Sequence, residues 1–453
     1  MRFWIKKEND SDPVEEWTNA YCLSINRDSW STIYSSVPNI WYHLGKQSMD
    51  LIYEDLFIIG LSVFALDKRI SRSHFSDAWT REIEVSIPVL EKDKWDSTCD
   101  KWNKLLSFLT GDVWKIEFRA TSEEYGAHKN PNGSKIDISE CDCVSLFSGG
   151  LDSFCGAIKL LEEGRSPVLV GHNEYPKLRY IQEKMVEDFR KNYESKSIYF
   201  LGFTAGARAP MTVEGERLIK TENTSRGRSL LFLCAAISIA GIMGEDVPVY
   251  IPENGFIGLN IPLTNSRKGS CSTRTTHPYF LEELCEILRS VGIKNDIENF
   301  FAYKSKREIV NLVSDTPSFV DNYKYTISCS HPCVARYNRT GSREYPVNCG
   351  FCYPCLIRKA SLQDVENEDQ KEDRSIISFI NCESENSKSA DLFAVMSSVH
   401  RYKNLSDKEL RRMIMGTGRL SNEKVAWFER VYREGMEDLE DFFNKEPDMG
   451  KYL

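Results

Sequence analysis

Apolar and polar positions alternate strictly in two stretches near the start of the chain. Glu82-Ile83-Glu84-Val85-Ser86-Ile87 lies inside an expected strand Arg81–Val89, and Trp114–Arg119 repeats the pattern. Shorter apolar runs predict strands at Arg2–Lys6 and Tyr21–Ile25. Helical spacing takes over at Leu51–Leu66, which carries an apolar stripe. It returns at Trp95–Leu109, an amphipathic pattern stopped by Gly111. Eight of the nine tryptophans fall between Trp4 and Trp114, and at this density they read as buried anchors. Residues 1–120 are therefore expected to form a small α+β domain.

Residues 121–140 are polar and contain Gly126 and Asn130-Pro131-Asn132-Gly133, the composition of a linker or surface loop. From Cys141 the period switches repeatedly. Expected strands at Val144–Phe147, Pro167–Gly171, Ser197–Phe203 and Val247–Ile251 are separated by expected helices at Asp152–Leu161, Tyr180–Tyr193 and Leu230–Met243. This β-α-β-α recurrence predicts an α/β domain over 141–364, with a parallel sheet covered on both faces and ligands at the carboxyl ends of its strands. Residues 365–453 open on a charged break, ENEDQKEDR. Helical patterns follow at Ala390–Val399, Lys408–Met415 and Val425–Phe443, forming a C-terminal helical appendage with acidic outer faces.

Composition adds three constraints. The chain has 453 residues, 41% hydrophobic and 28% charged, which suits two or three globular domains. Its first ten residues lack the apolar core of a signal peptide, and the longest uncharged run, Ser229–Gly244, reads as a buried helix rather than a membrane span. A cytoplasmic protein without a membrane partner is expected. The net charge of −9 argues against a broad footprint on nucleic acid.

Candidate chemistry gathers at the strand ends. The first α/β strand breaks at Ser148-Gly149-Gly150-Leu151-Asp152-Ser153, after which a helix begins. That geometry aims backbone N–H groups and a helix N-terminus at an anion, with the Ser148 and Ser153 hydroxyls as further donors. The spacing fits neither a Walker loop nor a Rossmann fingerprint. His172 closes the next strand. Arg226 and Arg228 open an apolar helix, where cations are disfavoured unless an anion is present. Glu253 and Asn254 follow the fourth strand. Ser270–Pro278 precedes an expected helix His277–Val291; its donors Arg274, Thr276 and His277 suit a polar ligand, and Thr276 alternatively caps the helix. Among fourteen cysteines, Cys349, Cys352 and Cys355 are spaced to wrap a tetrahedral ion. Zinc is the expected occupant, since an iron–sulfur pattern would need a further spaced cysteine. Spacing leaves open whether Cys329 or Cys333 is the fourth ligand.

Together these motifs carry a resemblance. SGGLDS (148–153) looks like the PP-loop of ATP pyrophosphatases, the adenine nucleotide alpha hydrolase-like fold. Residues from about Cys143 to Leu362 resemble QueC, the 7-cyano-7-deazaguanine synthase family, through SGGLDS, RGRSLLFLCAA (226–236) and ISCS…CGFCYPCLIR (327–358). The length and layout resemble the QueC-like components of bacterial antiphage operons of the Qat and CBASS kinds. The resemblance implies a zinc site of Cys329, Cys349, Cys352 and Cys355. It implies ATP held with Mg2+ at Ser148–Ser153, with His172 beside it, and Arg226 or Arg228 at anionic groups. It further implies a 7-carboxy-7-deazaguanine-like substrate near Glu253, Asn254, Arg274, Thr276 and His277. The carboxylate would be adenylated, and an amine, either ammonia or one from a protein partner of the same operon, would then attack it. Two other readings stand beside this one: tRNA thiolation by the same kind of loop, and a non-catalytic subunit that senses ATP.

Overall fold

In the computed structural model, residues 1–25, 32–46, 49–126, 133–212, 214–222, 226–263, 274–333, 345–365 and 388–446 are described. Parts of three expected segments lie outside them: 127–132 of the linker, 270–273 of the donor-rich stretch, and 366–374 of the charged break.

The first sheet contains β1 (Arg2–Lys7), β2 (Tyr21–Ile25), β3 (Ile33–Ser35), β4 (Glu82–Val89) and β5 (Val113–Ala120). Between β3 and β4 lie helices α1 (Val37–His43) and α2 (Leu51–Arg69); α3 (Lys92–Asp96) and α4 (Cys99–Thr110) precede β5. The five strands run in the order β5-β4-β1-β2-β3, and every pairing among them is parallel. The expected α+β arrangement of this region is therefore corrected: all five strands enter the sheet from the same end, with α1 and α2 returning the chain between β3 and β4, and α3 and α4 between β4 and β5. The single helix expected at Trp95–Leu109 is two, broken where the Thr98 hydroxyl bonds back to Trp95 O at 2.6 Å. Gly111 does stop α4, with φ +73°.

The second sheet contains β6 (Cys143–Leu146), β7 (Pro167–His172), β8 (Tyr199–Phe203), β10 (Val249–Tyr250) and β11 (Ile297–Glu298). It has the order β11-β10-β6-β7-β8 and is likewise parallel throughout. The intervening β9 (Ala205–Ala207) leaves it and pairs antiparallel with β3, closing the edge of the first sheet. Helices α5 (Leu151–Glu162) and α6 (Pro176–Asn192) cover one face, in a core with Phe147, Phe154 and Phe189. The other face is covered by α7 (Gly227–Met243) and, beyond the short α8 (Gly255–Leu259), by α9 (Pro278–Ser290). Numbered along the chain, both sheets read 5-4-1-2-3, the order of doubly wound sheets. Their topological switch lies between first and fourth strands.

Helix α2 packs on α7, and α4 on α9. The two sheets thus share one buried cluster, with Phe57, Leu61 and Phe64 of α2 and Leu231, Ala235 and Ile239 of α7 in its middle. The one-sided apolar stripe expected at Leu51–Leu66 is corrected: helix α2 is buried on every side from Tyr53 to Asp67. Beyond the second sheet come α10 (Lys306–Asn311), α11 (Pro317–Asn322), α12 (Tyr353–Ser361), α13 (Lys388–Lys403), α14 (Asp407–Met415) and α15 (Asn422–Lys445). Helices α13 to α15 form a separate core with α8 and α12, built on Val395, Phe428, Tyr432 and Leu439. No helix among the described residues is long and apolar enough to cross a membrane.

Candidate functional site

The turn Ser148–Ser153 sits at the carboxyl end of β6, beside β10 and therefore at the switch point. Gly149 has φ +83°, a backbone state open to glycine, and a Cβ there would lie 3.2 Å from both Gln182 Cγ and Leu178 Cδ1 of α6. Gln182 fixes the strand end by donating from Nε2 to Phe147 O at 2.8 Å. Inside the turn, the Gly150 N–H donates to Ser148 Oγ at 3.2 Å, Ser153 Oγ donates to Gly150 O at 3.0 Å, and the two hydroxyls lie 3.0 Å apart. The next amide, Leu151 N, donates to Ser328 Oγ at 3.3 Å. These N–H groups open a twelve-residue helix and face hydroxyl oxygens, the acceptor chemistry that a phosphate oxygen shares.

Behind the turn lies a buried charge cluster. Asp152 is 6% exposed and stands in the first turn of α5, where a carboxylate is favoured. Its Oδ2 accepts from Asn254 Nδ2 at 2.8 Å, and both of its oxygens lie 3.1 Å from Lys306 Nζ. Asn254 also caps α8, accepting from Ile257 N at 2.9 Å. Glu253 keeps some exposed surface as a residue. Enclosure of its carboxyl, and then the Asp152 carboxylate beside it, nevertheless raise its pKa well above the usual carboxylate range. The two segments meet closely: a Cβ on Gly156 of α5 would come 2.3 Å from Pro252 Cβ. Glu253 and Asn254 are thus brought together with the turn.

The other expected residues have other contacts. His172 ends β7, packed edge-on to Phe64 and tilted against Phe203; burial, followed by the nearby Arg228, pushes its pKa down to about 4. Arg228 pairs with Glu174 after the same strand. Arg226 turns toward the first sheet, donating to Thr110 O, and burial followed by repulsion from Arg72 lowers its pKa. Arg274 donates to Phe108 O at 3.0 Å and lies over the Phe108 ring. Thr276 faces Gly258 of α8, where a Cβ would sit 3.3 Å from its Oγ1. His277, not Thr276, caps α9: Nδ1 accepts from Tyr279 N at 3.2 Å, and Nε2 lies 3.0 Å from Thr417 Oγ1.

Downstream of the turn, the sulfurs of Cys329, Cys349, Cys352 and Cys355 all lie within 4.8 Å of one another. Two of the separations, Cys329–Cys352 and Cys349–Cys355, are 3.9 Å. Four thiolates at about 2.3 Å from a single tetrahedral zinc stand about 3.8 Å apart, so this donor set fits such an ion. Cys333 is outside the group, which answers the question that spacing left open. Cys352 and Cys355 are fixed by the start of α12, and Cys329 by backbone donors at His331 and Cys349. The segment leading into the cluster also touches the turn. Ile327 N donates to Gly149 O at 2.9 Å, and buried Arg358 of α12 binds Thr326 Oγ1 and Tyr323 O.

Sequence reasoning missed Lys306, Gln182 and Ser328. Lys306 had a readable signal: Ser305-Lys306-Arg307-Glu308 is a capping box that puts a lysine at the first helical position, against the helix dipole. Gln182 and Ser328 carry no such mark, because each acts through a fold-level approach to the turn. No protein-family model matches the chain, and no curated protein matches it.

Proposed function

We propose that the crevice between the ends of β6 and β10 binds ATP and uses it to adenylate a carboxylate, with pyrophosphate leaving. The reading rests on one observation: SGGLDS forms a glycine turn at the switch point of a parallel sheet, braced by the segment that enters a four-thiol cluster. That pairing joins two of the three motifs that carry the resemblance to the QueC family. Ser148, Ser153 and the N–H groups of Gly150 and Leu151 would hold the leaving pyrophosphate, with Mg2+ neutralising part of its charge. Zinc at the four cysteines is structural in this reading, since all four positions are protein thiols and none is open to substrate.

The chemistry is positioning plus electrostatics. The carboxylate oxygen attacks the α-phosphate, the bond to the β-phosphate breaks, and pyrophosphate departs. An amine then attacks the acyl carbon, AMP leaves, and the amine gives up a proton. The substrate class, a 7-deazaguanine carboxylate, and the role in antiphage defence rest on the resemblance. AMP and pyrophosphate are measured with and without 7-carboxy-7-deazaguanine, adding ammonium or co-expressed operon proteins as amine source. AMP formation that needs the deazaguanine supports the proposal. AMP formation that instead needs tRNA favours thiolation, and none under any condition favours an ATP-sensing subunit.

A further inference from the structure

Lys306 is 4% exposed, and it is the first residue of a six-residue helix whose dipole opposes a cation there. What holds it is Asp152, 3.1 Å away at both oxygens. The helix start is in turn gripped by α15. The N-cap Ser305 donates to Asp438 at 3.5 Å, and its neighbour Arg307 pairs with Asp438 at 3.1 Å. Glu308, the other half of the capping box, pairs with Arg430 at 2.9 Å, and Arg430 also donates to Tyr303 O. An unbroken chain of contacts therefore runs from α15 through Ser305 and Glu308 to Lys306, and on through Asp152 to Asn254 and the glycine turn.

We infer that Lys306 is a positioning residue for the Ser148–Ser153 turn and that the C-terminal helix α15 sets the geometry of the nucleotide crevice through it. The C-terminal helices are then a working part of the site. This inference rests on the proposed ATP site for its kinetic consequences but not for its structural ones. Lys306 is the cation paired with buried Asp152; without it the Asp152 side chain has no opposite charge beside it and is free to turn, which loosens the Asn254 contact that joins both sides of the switch point. Removing the grip of α15 leaves Lys306 in place chemically but frees the helix start that aims it.

The test uses the full-length chain with three variants: Lys306→Met, Lys306→Arg, and the double variant Arg430→Gln/Asp438→Asn on α15. Amide hydrogen exchange is read without nucleotide, and kcat and KM for ATP are read from AMP formation. We expect amides of 150–153 to exchange at least tenfold faster in Lys306→Met and in the α15 double variant, with α2 amides unchanged. Lys306→Arg should recover most of the protection and most of kcat. The inference is overturned if exchange at 150–153 is unchanged in the α15 variant, or if protection falls equally in α2, which would mean general destabilisation. A wild-type protein that makes no AMP would sink the proposed function, while the exchange data would still decide the coupling.

Discussion

Ser328 Oγ accepts a hydrogen bond from the Leu151 backbone N–H at 3.3 Å, so the segment leading into the thiol cluster and the glycine turn form one hydrogen-bonded unit. Ile327 N to Gly149 O adds a second bond. At about 1 kcal/mol each, loss of both would weaken any ligand of the turn by roughly tenfold to thirtyfold. We predict that the protein carries one equivalent of zinc by elemental analysis, that Cys352→Ser loses it, and that Cys333→Ser keeps it. The Cys352→Ser protein should bind ATP at least tenfold more weakly. Metal loss with unchanged affinity would show that the brace does not carry the coupling.

Adjacent glycines of the turn should differ sharply on substitution. Gly149 holds φ +83° and presses on Leu178 and Gln182, whereas Gly150 has φ −83°, open to any residue. Gly149→Ala should cost about 1–2 kcal/mol of stability from the left-handed backbone alone. Gly150→Ala should cost far less in denaturant titrations, where a Cβ meets Ser148 Oγ at 3.3 Å and otherwise only ordinary contacts, Ile327 O at 3.5 Å and Ser328 Oγ at 3.9 Å. Equal costs at the two positions would mean that the turn relaxes in solution.

What the sequence made legible was whatever has a local cause. The Ser148–Ser153 turn, its flanking strand and helix, and the three-cysteine spacing each declare themselves within a dozen residues. Parallel pairing in the first sheet was not legible: β1 and β2 are joined by only thirteen residues, and no local pattern distinguishes their direction. The partnership of α2 with α7 was not legible either: a one-sided stripe was expected of α2, whereas burial on every side leaves no single face to name a partner. Lys306 and Asp152 are 154 positions apart in sequence, and only the fold brings them together.

His277 offers a pH test of its capping role. Its buried ring is held neutral, with its pKa pushed down to about 3 from an ordinary 6.5 by burial and then by Arg274. Below pH 6.5 the unfolded chain takes up a proton that the fold refuses, so stability present above that pH is lost as pH falls toward 3. Asp55 and Asp438, both raised to about 6, act in the opposite direction, so the total profile is a compromise. The difference between wild type and His277→Asn isolates the histidine. Between pH 6 and 4 the wild type should lose about 1.4 kcal/mol per pH unit relative to the variant. Parallel profiles would place the proton on His277 within the fold.

The first 120 residues should not be removable. Buried hydrogen bonds cross between the two halves: Trp41 Nε1 to Ser238 Oγ at 3.1 Å, Tyr53 OH to Asn295 Oδ1 at 2.8 Å, and Gly227 N to Asp67 Oδ2 at 2.8 Å. Asp67 is itself paired with buried Arg81. A chain beginning at residue 141 would bare the apolar face of α7 and leave these donors and acceptors unpaired. Expressed alone, it should aggregate or lack a cooperative melting transition. A monomeric fragment with a sharp transition would show that the shared core is dispensable.

The two sheets have the same strand order, and this raises the question of whether the first also binds a nucleotide at its own switch point, between the ends of β1 and β4. The side chains there argue that it does not. Lys7, at the end of β1, gives its ammonium to buried Glu54 at 2.6 Å and to Glu123 O at 2.8 Å. The N–H groups of Leu90 and Glu91, just beyond β4, donate to Asp55 at 2.7 and 2.8 Å, so an internal carboxylate holds the donors that an anion would use. The adjoining cavity, lined by Lys7, Asn9 and Glu123–Tyr125, measures about 70 Å³. Ligand pockets are several times larger, at roughly 300 Å³ or more. Four carboxylates of Glu8, Glu54, Asp55 and Glu123 would moreover repel a polyphosphate. Calorimetric titration with a non-hydrolysable ATP analogue should therefore give one site per chain. Asp152→Asn should abolish it, and Asp55→Asn should leave it in place. A second equivalent lost in Asp55→Asn would assign nucleotide binding to both halves.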